Sequence, residues 1–383
     1  MFKQEAFQPQ INKTVIINAT ATKFGGALTI LKEYLSEIKK FDSKSIYFIF
    51  CGMDLSEFIS DNIKVVPIKT HGFGLGGLKR IFWDALGLYG FCLIKRIKPN
   101  LIISFQNTGV IYPNVKQLIY YHQPVPLFKF KWKFYKKDET LLFIYKEIYP
   151  FLIRLMFNRN SEFVVQQKFL KKLFSDKFNI KDERIHVIVP NINVKFKSSI
   201  EKIVLDQSKF NIFYPTNAAK YKNYDILFSA ISKIKEASVE VYDKLILHIT
   251  LGQDTNGLKD KIDKYQISTK IHFLGIIPYE SVIAYYNSVQ LLVFPSYIET
   301  FGLPLIEAAS LGLPILVSDL DYSHEVLKKY EGATFIQFDD DEKWANAIIE
   351  TFKTKPKVYE YESDPENNSW NKFIALSNFV IHK

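Results

Sequence analysis

Residues 294–319 read FPSYIETFGLPLIEAASLGLPILVSD, with Glu299 and Glu307 on either side of a glycine–proline turn. The apolar run before the turn predicts a buried strand, and Pro304 suits the first turn of a helix, where its missing N–H costs nothing. The closing PILVSD predicts the next strand. This pattern is typical of a parallel sheet covered by helices. Since ligands bind at the carboxyl ends of such strands, we expect both glutamates near a binding site.

The turn itself predicts a chemistry for the two carboxylates. The backbone N–H groups of Gly302, Leu303 and Leu305 are expected to be free at a helix N-terminus, which is a natural anion site. Glu307, one turn into the helix, is suited to accept hydrogen bonds from a ribose diol, and Glu299 is expected in the loop that points toward the ligand. Together they describe a nucleotide-sugar site. The alternative is a solvated glutamate pair flanking an ordinary helix.

The same alternation of strand-like and helix-like segments runs along the whole chain. We expect strands at 14–20, 45–52, 62–68, 101–107, 116–123, 163–167, 185–191, 209–217, 244–252, 271–275, 291–296 and 314–319. The polar, lysine-rich stretch 192–208 separates two such series. We therefore expect an α/β protein with two doubly wound parallel-sheet domains and a ligand site in the cleft that they face.

Length and composition narrow the classes of protein. A chain of 383 residues exceeds a single ordinary core. The two cysteines do not form a CxxC pair, which favours a reducing compartment and excludes a thiolate zinc site. We find no signal peptide and no apolar run of the ~18 residues that span a bilayer, so we expect a cytoplasmic protein. The net charge of +10 comes almost entirely from lysine, and the scarcity of arginine weakens a nucleic-acid interpretation.

Residues 271–327 resemble the donor-binding half of retaining glycosyltransferases of family 4, which have the GT-B fold. The positions that carry the resemblance are Pro295, Ser296, Glu299, Gly302, Leu303, Pro304, Glu307 and Ala308, followed by Gly312, Pro314 and Glu325. The resemblance implies an N-terminal acceptor-side Rossmann-like domain at 1–195 and a C-terminal nucleotide-sugar donor-binding domain at 206–365. It also implies a C-terminal helix at 366–383 that crosses back to the first domain.

The resemblance assigns roles to the turn. Glu307 would bind the ribose hydroxyls of the nucleotide, and Glu299 would lie by the donor sugar, near the reacting carbon. The backbone of Phe301, Gly302 and Leu303 would hold sugar hydroxyls or phosphate. No cofactor and no divalent metal is expected, because positive side chains and helix dipoles stabilise the leaving diphosphate in this family.

One expected cation is missing from the second domain. The family usually has an Arg, and five residues later a Lys, in the loop after the first strand of this domain, where both hold the diphosphate. Lys222 matches the Lys, but Asn217 occupies the Arg position, and no Arg follows Arg184. Lys220 is a plausible substitute that is less able to make bidentate phosphate contacts. The alternative for Lys222 is a surface helix lysine.

The first domain offers two further candidates. Gly25 and Gly26 follow the first strand and match the glycine-rich acceptor-side loop of the family, although glycine pairs are common in turns. His122 ends a strand just before Gln123-Pro124, where the family often has His-x-Pro near the donor sugar. There it could hydrogen-bond a sugar hydroxyl or stabilise charge as part of catalysis, or it could be a structural histidine.

Residues 128–157 alternate lysines with aromatic side chains in their first part, FKFKWKFY. Basic residues with amphipathic aromatics suit an anionic bilayer surface. The segment therefore predicts peripheral contact with the inner face of the plasma membrane. The alternative is a structural segment whose aromatic side chains face the core.

The leading hypothesis is a metal-independent retaining hexosyltransferase that moves a sugar from a nucleotide-diphosphate sugar to a glycan or lipid-linked acceptor in bacterial lipopolysaccharide or surface polysaccharide synthesis. The alternatives are a non-catalytic nucleotide-sugar-binding subunit of the same fold and a nucleotide-sugar epimerase. The absence of GxGxxG argues against a dinucleotide oxidoreductase, and nucleic acid is not an expected partner.

Overall fold

The computed structural model describes residues 13–22, 25–68, 75–190, 202–253, 255, 257–355, 357–362 and 369–382. Their described parts form two compact units. Unit 1 comprises Met1–Gln123, Glu147–Asn191 and Asn368–Lys383, and unit 2 comprises Pro124–Lys146 and Ile192–Asn367.

Unit 1 contains a seven-stranded, fully parallel sheet in the order β3-β2-β1-β4-β5-β6-β7. The strands are β1 (Thr14–Ala19), β2 (Ile46–Cys51), β3 (Ile63–Pro67), β4 (Leu101–Ser104), β5 (Lys116–Tyr120), β6 (Ser161–Val165) and β7 (Ile185–Val187). Its helices are α1 (Gly26–Phe41), α2 (Leu75–Phe82), α3 (Leu88–Lys95), α5 (Tyr149–Leu155), α6 (Lys168–Phe178) and α14 (Ser369–His382). A π-helical turn, Trp83–Gly87, lies between α2 and α3.

Unit 2 contains a six-stranded, fully parallel sheet in the order β10-β9-β8-β11-β12-β13. The strands are β8 (Phe210–Tyr214), β9 (Leu245–Ile249), β10 (Ile271–Phe273), β11 (Leu291–Phe294), β12 (Ile315–Ser318) and β13 (Ala333–Ile336). Its helices are α4 (Thr140–Phe143), α7 (Tyr224–Ala237), α8 (Val239–Lys244), α9 (Leu258–Tyr265), α10 (Tyr279–Tyr286), α11 (Leu303–Ala309), α12 (Asp321–Leu327) and α13 (Asp341–Thr354).

Both sheets explain the near-continuous apolar runs in the sequence. Every residue of β4, β6, β8, β11 and β12 is buried, because helices cover both faces of a parallel sheet. The predicted architecture of two doubly wound parallel-sheet domains is therefore confirmed. Strand β13, which no apolar run in the sequence indicates, completes the second sheet.

The final helix and the segment between β5 and β6 each belong to a unit that their position in the chain does not indicate. Trp370 and Phe373 of α14 pack against Tyr34 of α1 in unit 1, at ring-centroid distances of 5.5 and 4.8 Å. Residues Pro124–Lys146, which the sequence places within the first domain, pack with unit 2 instead. The stretch 192–208, expected to separate the domains, lies largely outside the described residues, and the boundaries at 195 and 206 stay predictions.

Candidate active site

Two loops of unit 2 follow the adjacent strands β8 and β11, and we call residues 215–223 the β8 loop and residues 295–302 the β11 loop. The strand order reverses between β8 and β11, and doubly wound sheets bind ligands at such a reversal. The backbone N–H of Tyr297 donates to the carbonyl of Tyr221 at 2.9 Å. The two loops that carry most of the predicted donor-site residues are thus tied together.

Glu299 and Lys222 form an ion pair across these loops. The Lys222 Nζ lies 2.5 Å from Glu299 Oε1, and the two side chains are only 15% and 12% exposed. The Lys222 ammonium also lies over the rings of Tyr221 and Phe294, at 5.6 and 5.7 Å from their centroids. Burial acts to lower the pKa of Lys222, but the charge of Glu299, the nearby Tyr221 and the hydrogen bond to Glu299 together outweigh it, and the pKa is raised. The lysine is therefore held as a cation at the edge of the sheet.

Lys220, the proposed substitute for the missing arginine, is paired with a residue that the sequence did not indicate. Its Nζ lies 2.5 Å from Glu139 Oε1 and 3.6 Å from Asp138 Oδ2. Burial of the ammonium opposes ionisation, but the hydrogen bonds to Glu139 and Asp138 and the charges of these two carboxylates together outweigh it, so the pKa of Lys220 is raised. Glu139 belongs to the Pro124–Lys146 segment, 81 positions away in sequence, and no local pattern could have predicted the contact.

Asn217, at the expected arginine position, is used within its own loop. Its side-chain oxygen accepts a hydrogen bond from the backbone N–H of Ala219 at 3.0 Å, which closes a local turn. The residue is exposed and carries no charge. Asn217 thus shapes the β8 loop, and the cationic side chains of this loop in the structure are Lys220 and Lys222.

Glu307 lies on α11 and is buried. Its Oε1 accepts a hydrogen bond from the Tyr279 hydroxyl at 2.6 Å, and its Oε2 accepts one from the Tyr286 hydroxyl at 3.2 Å. Both tyrosines belong to α10, and the sequence analysis did not select them. Two hydroxyl donors on a buried carboxylate hold it in a fixed orientation.

The turn between the two glutamates requires its glycine. Gly302 has φ 83° and ψ 58°, and a Cβ there would lie 3.1 Å from Leu305 Cδ1. Phe301 is buried and Leu303 begins α11. One expectation for this turn was wrong: the backbone N–H of Leu305 donates to the Gly302 carbonyl at 2.9 Å. That amide is not free, because the turn closes its own hydrogen bond as the helix starts.

The glycine pair predicted for the acceptor side lies at the start of α1 in unit 1. Gly25 has φ 69° and ψ −157°, a conformation that is essentially restricted to glycine. Its carbonyl accepts hydrogen bonds from the backbone N–H groups of Leu28 and Thr29 at 3.0 and 3.2 Å, and Gly26 is the first helical residue. Phe24, expected in the same turn, lies outside the described residues.

His122 also lies in unit 1, at the carboxyl end of β5. The backbone N–H of His122 donates a hydrogen bond to the side-chain oxygen of Asn107 at 2.6 Å. The ring Nδ1 is buried and has no hydrogen-bond partner in the structure. Burial, followed by the positive charge of Arg80, lowers the pKa of His122 to about 4, so the imidazole is neutral near pH 7.

A buried polar network that the sequence analysis missed centres on Asp84. The carboxylate accepts hydrogen bonds from Asn18 Nδ2 at 2.9 Å and from the side chain of Gln106, and it lies 3.8 Å from Arg80 Nε. Burial raises the pKa of Asp84 to about 6, against the opposing influence of Arg80 and the hydrogen bonds. Asp84 follows α2 in the π-helical turn, a feature that is frequent at functional sites.

The segment predicted to contact a membrane has two kinds of aromatic side chain. Trp132 is buried, and Phe130 packs against the Tyr297 ring of the β11 loop at 4.7 Å. Phe134 and Tyr135 are exposed, as is Phe151 in unit 1. The structural alternative therefore holds for part of the segment. No helix in the described part of the chain has the length and apolar composition needed to cross a bilayer.

Comparison with known proteins identifies the class. Residues 195–369 match the family model described as Glycosyl transferases group 1. The predicted class, a glycosyltransferase of the GT-B fold, is thereby confirmed.

Individual relatives agree with this class. The chain is 27% identical over 268 residues to the O-antigen chain mannosyltransferase RfbU of Salmonella typhimurium. The aligned residues cover 70% of this chain and 68% of RfbU. Two other curated relatives are matched over 54% and 38% of their length.

Solved structures show the same fold along the chain. Sucrose-phosphate synthase from Thermosynechococcus elongatus matches 97% of both chains, with a TM-score of 0.67 and 14% identity. HepE from Anabaena in complex with UDP and glucose matches 97% of this chain and 96% of its own, with a TM-score of 0.66 and 13% identity.

Proposed function

We propose that this chain is a retaining hexosyltransferase that transfers a sugar from a nucleotide-diphosphate sugar to a glycan or lipid-linked acceptor, in the synthesis of lipopolysaccharide or surface polysaccharide. The observation that carries the proposal is the ion-paired Glu299 and Lys222 at the strand reversal between β8 and β11, with Glu307 fixed by two tyrosines. The name of RfbU supports an O-antigen-type product, and the UDP in HepE supports a nucleotide donor.

In this proposal Glu307 binds the ribose. A carboxylate accepts hydrogen bonds from both hydroxyls of a vicinal diol, and Glu307 is buried, so a paired contact gains strength from the low local dielectric. Tyr279 and Tyr286 keep the carboxylate oriented. The exposed part of Tyr279 leaves room for the ligand to approach from its side of Glu307.

Lys220 and Lys222 would stabilise the diphosphate as it leaves. The bond between the anomeric carbon and the phosphate oxygen breaks, and a bond from the acceptor oxygen to the same carbon forms on the same face. The leaving phosphate oxygen takes the acceptor proton, so no separate general base is required. Glu299, close to the reacting carbon, would stabilise positive charge that develops on the sugar. Neutral His122 would hydrogen-bond a sugar hydroxyl.

The test is transfer and hydrolysis with a panel of UDP-, GDP-, ADP- and dTDP-sugars, comparing wild type with Glu307→Ala. We expect turnover of one donor by wild type and at least a tenfold rise in the KM for that donor in the variant. A wild type that binds a donor but neither transfers nor hydrolyses it would leave the non-catalytic subunit as the better interpretation.

We also propose that catalysis needs no divalent metal, because Lys220 and Lys222 would supply the positive charge that stabilises the leaving diphosphate. Activity should then be unchanged after treatment with EDTA. A loss that Mg²⁺ or Mn²⁺ restores would contradict this part of the proposal.

Finally, we propose that the protein works in the cytoplasm at the inner face of the plasma membrane. The exposed aromatics Phe134, Tyr135 and Phe151 and the surrounding lysines support contact with an anionic bilayer. Flotation with phosphatidylglycerol vesicles at low salt should carry the protein upward, and Phe134→Ser/Tyr135→Ser should reduce that fraction. No flotation of wild type would refute membrane contact.

A further inference from the structure

The segment Pro124–Lys146 covers the two loops of the candidate active site, although it lies far from them in sequence. Val125, Trp132 and Leu142 form a buried cluster with Ile298 of the β11 loop, and Tyr221 of the β8 loop packs against it. We call this segment the strap. Because it packs on both loops, side chains of the strap can set the position of side chains in the loops.

Two groups of opposite charges lie at this place. The strap contributes Glu139 and Asp138, the β8 loop contributes Lys220 and Lys222, and the β11 loop contributes Glu299. Lys222 is enclosed by Glu299 and two aromatic rings, whereas the Lys220 side chain is 39% exposed. Of the two lysines, Lys220 is thus the more accessible to an arriving anion.

Glu139 is fixed in place independently of Lys220. Its Oε2 accepts a hydrogen bond from the backbone N–H of Lys133 at 2.8 Å, and its side chain is only 8% exposed. Removing the ammonium from this buried carboxylate would leave a buried charge with weaker compensation, which is costly. The Lys136 ammonium lies 3.8 Å from the same Oε1.

We propose that Glu139 is a positioning residue that holds Lys220 as the diphosphate-binding cation, in place of the arginine that is absent from the β8 loop. The inference rests on the proposed function and names how its donor diphosphate is held. An ammonium has three N–H donors; one remains on Glu139, and the exposed side of the group donates to a phosphate oxygen. The lysine, which alone would be a flexible point charge, is preorganised as a guanidinium fork would be.

A comparison with Asp138 distinguishes positioning of Lys220 by Glu139 from a simple effect of total charge on anion binding. It lies 3.6 Å from the same ammonium, but its side chain is 49% exposed, so it exerts less control over the orientation of Lys220. If only the sum of charges mattered, neutralising either carboxylate would strengthen binding of an anion. If Glu139 positions the lysine, neutralising Glu139 weakens binding while neutralising Asp138 does not.

The experiment measures, by calorimetry, the affinities of GDP and UDP, with guanosine and uridine as probes that lack the diphosphate. For the diphosphate that wild type binds, we expect Lys220→Met to weaken binding roughly tenfold, the size of one charge-assisted hydrogen bond. Glu139→Gln should weaken it by about threefold, and Asp138→Asn should not weaken it. The double variant Glu139→Gln/Lys220→Met should bind no more weakly than Lys220→Met alone, and nucleoside affinity should stay constant throughout.

Matched controls keep the inference open to refutation. Lys136→Met removes a second lysine beside Glu139, 3.8 Å from its Oε1, and the diphosphate affinity of this variant should equal that of wild type. Equal losses in Lys136→Met and Lys220→Met would overturn the inference even if Glu139→Gln does not fold. Unchanged or tighter diphosphate binding by folded Glu139→Gln would also overturn it. If wild type binds neither GDP nor UDP, the same measurements are made with ADP and dTDP; if it binds none of the four diphosphates, the proposed function itself fails and the inference fails with it.

Discussion

The ionisable side chains at the carboxyl edges of the two sheets have pKa values that are shifted for opposite reasons. In unit 2, carboxylates lie 2.5 Å from Lys220 and Lys222, and their charges raise both lysine pKa values despite burial. In unit 1, burial prevails, raising the pKa of Asp84 and lowering that of His122. One edge keeps its charges and the other favours neutral forms.

The largest effect is expected where the unit 2 edge loses a charge beside the proposed reacting carbon. Glu299→Gln should lower kcat by about 100- to 1,000-fold, the usual size for one preorganised electrostatic group. It should also lower the free energy of unfolding by about 3 kcal/mol, because Lys222 is left as a mostly buried cation without its carboxylate. Steady-state kinetics and urea unfolding measure the two effects.

Two further variants separate these effects. Glu299→Gln/Lys222→Met removes both charges and should regain much of the stability without regaining activity. Glu236→Gln, on the exposed side of α7, should leave both quantities unchanged. If the double variant recovered kcat together with stability, Glu299 would be a structural residue and its proposed role near the sugar would be wrong.

The same comparison shows which features the sequence can predict. Apolar runs predicted the strands because burial on both faces leaves a local, continuous signal. The Glu299 and Lys222 loops could be expected at one edge because both follow strand ends. Glu139 could not be foreseen, since its pairing with Lys220 depends on how the strap folds back onto unit 2. Asp84 resembles any helical acid in sequence, and only its burial sets it apart.

For the unit 1 edge we predict that two groups make the free energy of unfolding depend on pH in opposite directions. The pKa of Asp84 is raised from 3.8 to about 6, so its contribution to stability is full below pH 3.8 and is lost as pH rises through about 6. The pKa of His122 is lowered from 6.5 to about 4, so its contribution is full above pH 6.5 and is lost as pH falls through about 4. Each is worth roughly 3 kcal/mol at about 1.4 kcal/mol per pKa unit.

Single variants should therefore reveal the change of stability with pH that each group contributes. Between pH 4 and 6.5 the two contributions largely cancel in wild type. In Asp84→Asn the histidine slope remains, so stability should rise with pH relative to wild type. In His122→Asn the aspartate slope remains, and stability should fall with pH. Urea unfolding at several pH values, referenced to wild type at each pH, measures the difference, and slopes of the same sign in both variants would contradict the assignment.

The smallest effects concern the glycine that precedes a helix at each edge. Gly302 occupies the left-handed region, with φ 83° and ψ 58°, which asparagine adopts more readily than alanine. Gly25, with φ 69° and ψ −157°, occupies a region that is essentially closed to any side chain. Alanine at either position should cost about 1–3 kcal/mol of unfolding free energy, with crowding against Leu305 adding to the cost at Gly302 alone.

Asparagine distinguishes the two backbones. Gly302→Asn should be less destabilising than Gly302→Ala by about 0.5 kcal/mol, because asparagine tolerates the left-handed conformation. Gly25→Asn should cost as much as Gly25→Ala, since open space around a Cβ there does not relieve a forbidden dihedral pair. Urea unfolding of the four variants tests this directly. An equal benefit from asparagine at both positions would show that the two turns impose the same backbone restriction.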